Sequence, residues 1–442
     1  MASINTKNSY APQRTHEGAI AARITPEQEL RRSVLSTLLW EDTFYEGGQD
    51  VSTRIRSTAE KVSSETIADL AVEARTVHGL RHVPLLLLTS LIKRGGSGVA
   101  EAVTNTINRV DEITELAAIY WKFNPNKDFS AQMKKGLGGA FNKFNEYQFA
   151  KYNRDGAVKL RDVLFLSHPK AKDAKQQELF NKIVKDELTV PDTWEVNLSA
   201  GADKKETFER LIREGKLGYL ALLRNLRNME QAGVDRDLVI DAIKARKGAD
   251  LVFPFRYVAA ARAAPSYANA VDKALIDAVS GGLKLKGKTI VVVDTSGSMY
   301  VYKVSEKSDI DRVTAAATLA SVINGDDVRV LAFGTTVKEL PHRLGLAGVD
   351  AIVATGLGGT DTRKALDKAI EINYKGDYDR LILITDEQSH TNYPKLVGFK
   401  HKYLINVANY KNGIGYGDGW VHIDGFSEAV IKYIFAYEEA GF

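Results

Sequence analysis

The hydrophobic positions of this 442-residue chain follow a helical spacing through most of the first 283 residues. Apolar side chains recur three and four positions apart, as a helix with one buried face requires. Glycine pairs and prolines interrupt the pattern and leave room for about a dozen helices of roughly 10 to 16 residues. The spacing therefore predicts an all-helical region of stacked helix pairs. Clear examples are Leu35, Leu38 and Leu39, then Ile67, Leu70, Ala71 and Ala74, and later Leu217, Leu220, Leu223 and Leu226.

The pattern changes after the glycine pair at 281–282. Strand-forming runs now alternate with helical patterns, which predicts a doubly wound α/β domain with a parallel sheet. We therefore divide the chain into a polar N-terminal segment (1–26), an all-helical module (27–283) and an α/β domain (284–442). The predicted strands are 289–293, 328–333, 380–384 and 402–407, and the predicted helices are 309–323, 361–373 and 427–437.

The composition narrows the possible functions. The chain has no cysteine, which excludes disulfides and thiolate metal sites and fits a reducing compartment. The first 25 residues lack the apolar core of a signal peptide, and the apolar stretch at 83–92 is too short to cross a bilayer. We therefore expect a cytoplasmic protein with no membrane partner. The net charge is +6 over residues 1–285 and −2 over residues 286–442, which permits a polyanionic partner for the helical part without requiring one.

Three short polar loops of the α/β domain carry candidate metal ligands. The first loop follows the apolar run 289–293, the second follows the glycine pair 358–359, and the third follows the apolar run 380–384. The carboxyl ends of parallel strands meet at one edge of a sheet, so these loops should converge. Hydroxyl and carboxylate oxygens are the ligands that Mg²⁺ prefers. We predict a divalent-cation site, with Mg²⁺ the expected ion, formed by Asp294, Ser296, Ser298, Thr360 and Asp386.

The first loop resembles the D-x-S-x-S loop of the metal-ion-dependent adhesion site in von Willebrand factor A (vWA) domains. In such domains the serines and the threonine contact the metal, and the aspartates often act through water. One coordination position stays open for a partner's carboxylate. An ordinary polar turn after a strand is the alternative for one loop, but it does not account for three loops in the required order.

Five short segments ahead of these loops form a series. They are Lys135–Ala140 (KGLGGA), Phe149–Tyr152 (FAKY), Leu166–Lys170 (LSHPK), Leu220–Leu226 (LALLRNL) and Phe253–Phe255 (FPF). Their order, followed by a vWA-like domain, resembles the Ro autoantigen family, in which a TROVE module precedes a vWA domain. The resemblance runs from about residue 30 to the C-terminus and points to a bacterial or phage-type member.

The resemblance implies both a fold and a function. The helical module would be a ring of HEAT-like repeats closed by the vWA domain. Single-stranded 3′ ends of misfolded or immature non-coding RNAs would enter the ring, and a small Y-type RNA would bind its outer surface. The protein would assist exoribonucleases such as polynucleotide phosphorylase in RNA quality control or processing, as a monomer without catalysis of its own.

A basic cluster between residues 134 and 172 agrees with this interpretation, since cationic side chains can follow a phosphate backbone without reading sequence. Lys151 and His168 match positions that contact RNA in the family, and Tyr152 could stack on a base. Arg154 lies near a third such position, although this chain is one residue shorter there. For each residue the alternative is a solvated helix face, and Arg224 could instead pair with an acid. The predicted RNA contacts are Lys134, Lys135, Lys151, Arg154, His168 and Arg224.

Two other classes of function stay open. A vWA adaptor would grip proteins with its helical scaffold and capture a partner's acidic residue at the metal site. An enzyme is the weaker hypothesis, because none of the eight histidines has a telling spacing to Ser296 or Ser298, as a hydrolytic triad would need. Neither a phosphate-binding loop nor a dinucleotide fingerprint occurs. We therefore predict a non-catalytic protein in which His390 only decorates the third metal loop.

Overall fold

The computed structural model describes residues 25–35, 48–124, 128–153, 156–250, 252, 254–280, 284–301, 303, 310–356, 358–408, 419–425 and 429–439. These residues form two compact units. The helical unit takes the described residues between 48 and 278, and the sheet unit takes those from 279 onward. The N-terminal helix α1 (Pro26–Leu35) groups with the sheet unit, whereas the predicted division placed residues 27–283 together in the helical module.

The helical unit consists of helices with short connections, as the apolar spacing predicts, and side-chain caps mark several of their starts. Ser63, for example, accepts a hydrogen bond from the Thr66 backbone N–H at 3.0 Å, which satisfies a donor that the first helical turn leaves open. The helices are α2 (Gly48–Ala59), α3 (Ser64–Thr76), α4 (His82–Arg94), α5 (Val99–Thr106), α6 (Asp111–Phe123), α7 (Ala131–Phe141), α8 (Glu146–Tyr152), α9 (Leu160–Ser167), α10 (Ala174–Lys185), α11 (Trp194–Ser199), α12 (Lys204–Arg213), α13 (Tyr219–Gln231), α14 (Arg236–Ala245), α15 (Pro254–Ala263) and α16 (Ala268–Ser280).

Glycines let α7 pack closely on its neighbours. A β-carbon on Gly136 would stand 2.6 Å from a side-chain carbon of α5, and one on Gly139 would stand 2.5 Å from a hydroxyl of the same helix. Both distances are too short for real side chains, so the packing of α7 on α5 requires glycine at these positions. Gly138 faces the loop after α9, where its β-carbon would stand 3.4 Å from Pro169 Cα. Helix α7 therefore joins α5 to the segment that contains His168.

The sheet unit contains a six-stranded sheet of order β3-β2-β1-β4-β5-β6 among its described residues. All six residues of β4 are buried, and so are the last six of β1, as expected for strands covered on both faces. Its elements after α1 are β1 (Leu285–Asp294), α17 (Gly297–Val301), α18 (Arg312–Ala320), β2 (Gly325–Phe333), β3 (Val337–Leu340), α19 (Leu346–Val353), α20 (Thr362–Ile372), β4 (Arg380–Thr385), β5 (His401–Asn406), β6 (Val421–Asp424) and α21 (Ala429–Glu439).

The strand order places a topological switch point between β1 and β4. Strand β1 pairs in parallel with both β2 and β4, and later strands are added outward from each of them. At such a point a crevice opens beyond the carboxyl ends of the central strands. The predicted combination of a helical region and an α/β domain is confirmed. The sheet is mixed rather than wholly parallel, however, because the edge strand β3 runs antiparallel to β2.

No helix in the described part of the chain combines the length and the apolar character that a bilayer crossing needs. The longest described helices have 13 residues, whereas a transmembrane helix needs about 20.

Candidate functional site

The first and third metal loops meet beyond the carboxyl ends of β1 and β4. Asp294 ends β1 and Asp386 follows β4 directly. The Ser298 hydroxyl donates to Asp386 Oδ2 at 2.7 Å, and the Ser296 and Ser298 hydroxyl oxygens lie 3.3 Å apart. The backbone N–H of Ser296 donates to Asp294 Oδ1 at 2.9 Å. Four of the five predicted ligands are therefore joined by direct hydrogen bonds.

The second loop is tied to the other two through its backbone. The Gly297 N–H donates to the Gly358 carbonyl at 2.7 Å, and the His390 N–H donates to the Thr360 carbonyl at 3.4 Å. Thr360, the fifth predicted ligand, is buried. The carboxylate of Asp361 caps the helix that follows this loop by accepting from the Lys364 N–H at 3.3 Å. The three loops thus form one connected structure.

The charge of this structure favours a cation. Asp294 and Asp386 are both fully buried. Burial raises the pKa of Asp294, and the neighbouring Asp386 raises it further. Burial also raises the pKa of Asp386, against a hydrogen bond from Ser298 that lowers it. A cation between the loops would supply the opposite charge that two buried carboxylates need. Because the donors are hydroxyls and carboxylates, the set fits a hard ion such as Mg²⁺.

A buried charge network lies beside the third loop, and the sequence did not predict it. Glu387 is fully buried, and its backbone adopts the left-handed conformation at φ 59°. Its carboxylate accepts a hydrogen bond from Arg32 Nη1 at 2.9 Å and contacts Nε2 of His422. On the other side of the imidazole, His422 Nδ1 lies 3.4 Å from Asp424 Oδ2. Helix α1 and strand β6 therefore both contribute charges to the support of the third loop.

The surroundings of His422 favour the protonated imidazole. Burial by itself lowers the pKa of the imidazole, but the carboxylates of Asp424 and Glu387 outweigh it and raise the pKa to about 9. Glu387, His422 and Asp424 lie close enough together to hold a metal ion. Here the Arg32 guanidinium and the imidazolium supply the positive charge instead. The only sequence signal for this network was an acidic residue directly after Asp386 within a buried run.

The structure places the other histidine near the loops at the surface. His390 Nε2 lies 3.8 Å from Asp361 Oδ2, and its side chain is exposed. The position agrees with the expected decorating role, because a water-activating base would be aimed at the metal ligands themselves.

Of the predicted RNA contacts, Lys151 and His168 lie on α8 and at the end of α9. Lys151 Nζ lies 5.7 Å from the centre of the Tyr152 ring, and the Arg109 guanidinium lies 4.6 Å from the same ring. His168 ends α9 in the left-handed conformation, at φ 48°, and is exposed. Arg154 lies outside the described residues.

The remaining predicted contacts lie on α7 and α13. Lys135 is exposed and Lys134 half-buried. Arg224 is exposed, and within the described chain no ion pair joins it to an acid, contrary to the alternative considered for it. Other cations in or near the basic cluster are already engaged. Lys143 donates to the carbonyls at the end of α5, at 2.6 Å for Ile107, and Lys182 pairs with Glu146 at 3.0 Å.

Hydrogen bonds of Asn142, at the end of α7, connect this helix to the residues that follow His168. The Asn142 side chain donates to the Lys170 carbonyl at 2.7 Å, and Lys172 Nζ donates to the Asn142 carbonyl at 3.1 Å. Together with the contact between Gly138 and Pro169, these bonds hold the end of α7 against residues 168–172. The structure thus brings the predicted contacts of α7 and α9 onto neighbouring elements.

Comparisons with known proteins identify part of the helical unit. The family model described as the TROVE domain matches residues 184–265. This range includes two of the five segments noted in the sequence, 220–226 and 253–255. Phe253 itself lies outside the described residues. Telomerase protein component 1 from Mus musculus is 37% identical over 76 residues, and its counterpart from Rattus norvegicus is 36% identical over the same length. These matches cover 16% of this chain and 3% of those much longer proteins.

A solved structure resembles the whole chain. The crystal structure of the Deinococcus radiodurans RO (RSR) protein matches 95% of this chain and 100% of its own, with a TM-score of 0.62. At 14% identity this likeness shows a shared fold. The matched TROVE segment lies in the helical unit, and the likeness in fold to the Ro protein extends over both units.

Proposed function

We propose that this chain is a non-catalytic RNA-binding protein of the cytoplasm. It binds the single-stranded 3′ ends of misfolded or immature structured RNAs in its helical unit and a Y-type RNA on its outer surface. It assists exoribonucleases, such as polynucleotide phosphorylase, in RNA quality control or processing, and it acts as a monomer. The observation that carries this proposal is the set of cationic residues on α7, α8 and the end of α9, in a chain with the fold of a Ro protein.

The surface suits a single-stranded backbone for electrostatic reasons. Lys135, Lys151 and His168 are held on ordered helix positions without an ion pair to an acid among the described residues. Each contact with a phosphate would release a condensed counterion, so binding is tight at low salt and weakens as salt rises. The Tyr152 ring beside Lys151 adds a face on which a base can stack.

Mg²⁺ at the metal loops completes the proposal. The hydroxyls of Ser296, Ser298 and Thr360 would bind the ion directly, and the carboxylates of Asp294 and Asp386 would act through water or directly. When bound, the ion offers a coordination position to an acidic group of a partner. The fully buried carboxylates support this assignment, because a cation neutralises them.

The test is fluorescence anisotropy with two labelled RNAs, a duplex with a single-stranded 3′ tail and the same duplex with blunt ends, at two salt concentrations. We expect tight, salt-sensitive binding of the tailed RNA alone. The double variant Lys151→Ala with His168→Ser should raise the Kd by about 5- to 150-fold, as expected when contacts worth about 1–3 kcal/mol are lost. Lys204→Ala, an exposed lysine at the start of α12, is the control that removes the same formal charge.

Each other outcome has a distinct meaning. Equal binding of both RNAs would move the interface to an outer basic surface. Unchanged affinity of the double variant at fixed salt would exclude Lys151 and His168 from the interface. Failure to bind either RNA would contradict the proposal and favour the protein-adaptor hypothesis, to be tested by capture of partners in Mg²⁺ against chelator.

A further inference from the structure

Helix α9 exposes an aromatic ring in the middle of its solvent face. Leu160, Val163, Leu164 and Ser167 are buried and define the packed side of the helix. At 100° per residue, the opposite side lies between Asp162 and Phe165, whose side chain is 52% exposed. Arg161 precedes this ring by one turn, and His168 follows it by three residues, so both lie on the same face.

The exposed phenyl ring offers an apolar surface to a ligand. Moving a phenylalanine ring from water into contact with a ligand is favourable. Among the described residues, no ring stacks on Phe165 and no cation lies over it. Its exposure on an ordered helix therefore leaves a large apolar contact unused.

The charges around the ring indicate which ligand fits. Lys159 and Arg161 lie on the N-terminal side, and His168 and Lys170 lie on the C-terminal side. Between residues 159 and 170 the sequence has one acid, Asp162, which is exposed and lies 3.9 Å from Arg161 Nε, a weak surface pair. An aromatic ring between cations is the arrangement that binds single-stranded nucleic acid, in which bases stack on the ring and phosphates meet the cations. An apolar groove of a protein partner gains nothing from the surrounding cations.

Hydrogen bonds hold the end of α9 and the loop that follows it. The Ser167 hydroxyl donates to the Val163 carbonyl at 2.7 Å, and the His168 N–H donates to the Leu164 carbonyl at 3.0 Å. The bond from Asn142 to the Lys170 carbonyl holds the following loop. A ligand that binds here need not order the helix, so little of the stacking energy is lost to conformational entropy.

We propose that Phe165 is a base-stacking residue for single-stranded RNA, with Arg161 and His168 contacting the phosphates on either side of the stacked nucleotide. The proposal rests on the proposed RNA-binding function and deepens it by adding two residues, Phe165 and Arg161, and a mode of contact. Stacking does not distinguish bases strongly, so this site accepts any sequence in the tail.

The experiment compares Phe165→Ala, Phe165→Trp and Val190→Ala. Val190 is 74% exposed in the same unit and serves as the matched control for the loss of an exposed apolar side chain. The probe is the tailed duplex with 2-aminopurine in the tail, whose fluorescence is quenched when the base stacks. We expect Phe165→Ala to raise the Kd by about 5- to 100-fold and to abolish the quenching. Phe165→Trp should restore both, and Val190→Ala should change neither.

Salt dependence separates stacking from charge. Phe165→Ala should leave the slope of log Kd against log salt unchanged, because no phosphate contact is lost, whereas Arg161→Ala should reduce it by about 0.7. Normal affinity or persistent quenching in Phe165→Ala would overturn the proposal while the RNA-binding function stands. If the unaltered protein fails to bind the tailed RNA, the proposed function fails and this inference fails with it.

Discussion

Arg32→Met should destabilise the sheet unit strongly, because it removes one of the two positively charged groups that contact the buried Glu387 carboxylate. The guanidinium and the Glu387 carboxylate are each at most 1% exposed and lie 2.9 Å apart. Removing one partner of such a pair costs about 3–5 kcal/mol, since the remaining charge keeps its desolvation penalty. His422 also contacts Glu387, and its raised pKa favours the protonated imidazole. We therefore expect the lower end, about 3 kcal/mol, which is a large share of the stability of an ordinary domain.

The assay is urea unfolding at neutral pH, monitored by amide hydrogen exchange in β4 and β6. Exchange reports on the sheet unit alone, which matters because a chain of two units need not unfold in a single step. Arg31→Met, on the exposed side of the same helix, is the control for removing one positive charge and should cost less than about 0.5 kcal/mol. The double variant Arg32→Met with Glu387→Gln removes both charges and should recover part of the lost stability.

Two results would refute this reasoning. If Arg32→Met lowers the free energy of unfolding by no more than Arg31→Met does, the guanidinium does not stabilise the buried carboxylate. If the double variant is less stable than Arg32→Met alone, the penalty does not come from an uncompensated charge at Glu387, and the packing of α1 itself accounts for the loss.

Three further predictions concern the two units separately. Because the pKa of His422 is raised from 6.5 to about 9 in the folded state, its stabilising contribution is complete below about pH 6.5 and is lost as the pH rises through 9. Urea unfolding should show a loss of up to about 3 kcal/mol over this range, and parallel pH profiles for the original protein and His422→Gln would contradict the assignment. In the helical unit, Gly136→Ala should lower the Tm, because the new β-carbon would lie 2.6 Å from a carbon of α5. The control Gly138→Ala should leave the Tm unchanged, since its β-carbon would lie 3.4 Å from the nearest atom. Equal Tm values for the two variants would show that α7 can shift away from α5. Asp294→Ala should weaken Mg²⁺ binding in calorimetry and remove the thermal shift with Mg²⁺ while the helical unit stays folded; an unchanged Mg²⁺ affinity would contradict the metal site.

Local patterns were sufficient for the main elements. The run at 289–293 lies within β1, and the strands predicted at 328–333 and 380–384 lie within β2 and β4. Alternation and helical spacing report which side of an element is buried, and each element carries that information in its own residues. The convergence of the three metal loops followed from the same reasoning, since parallel strands end at one edge.

Other features depend on contacts between distant segments. The edge strand β3 has four residues, and its two central side chains are exposed and charged, so its pattern alone does not distinguish it from a loop. Phe165 has the spacing of an amphipathic helix, but only the packing of α9 shows that its ring faces solvent.

The sequence by itself determined the helical character of the first part of the chain, the four strands β1, β2, β4 and β5, where the helical pattern gives way to the α/β pattern, and which loops carry oxygen ligands. These properties depend on residue spacing and side-chain chemistry within a few turns or strands. Only the tertiary structure decided that α1 belongs with the sheet and that Arg32 meets Glu387, which lies 355 positions away. The physical reason is that a buried charge is stabilised by whichever partner the fold brings to it, and no local pattern specifies that partner.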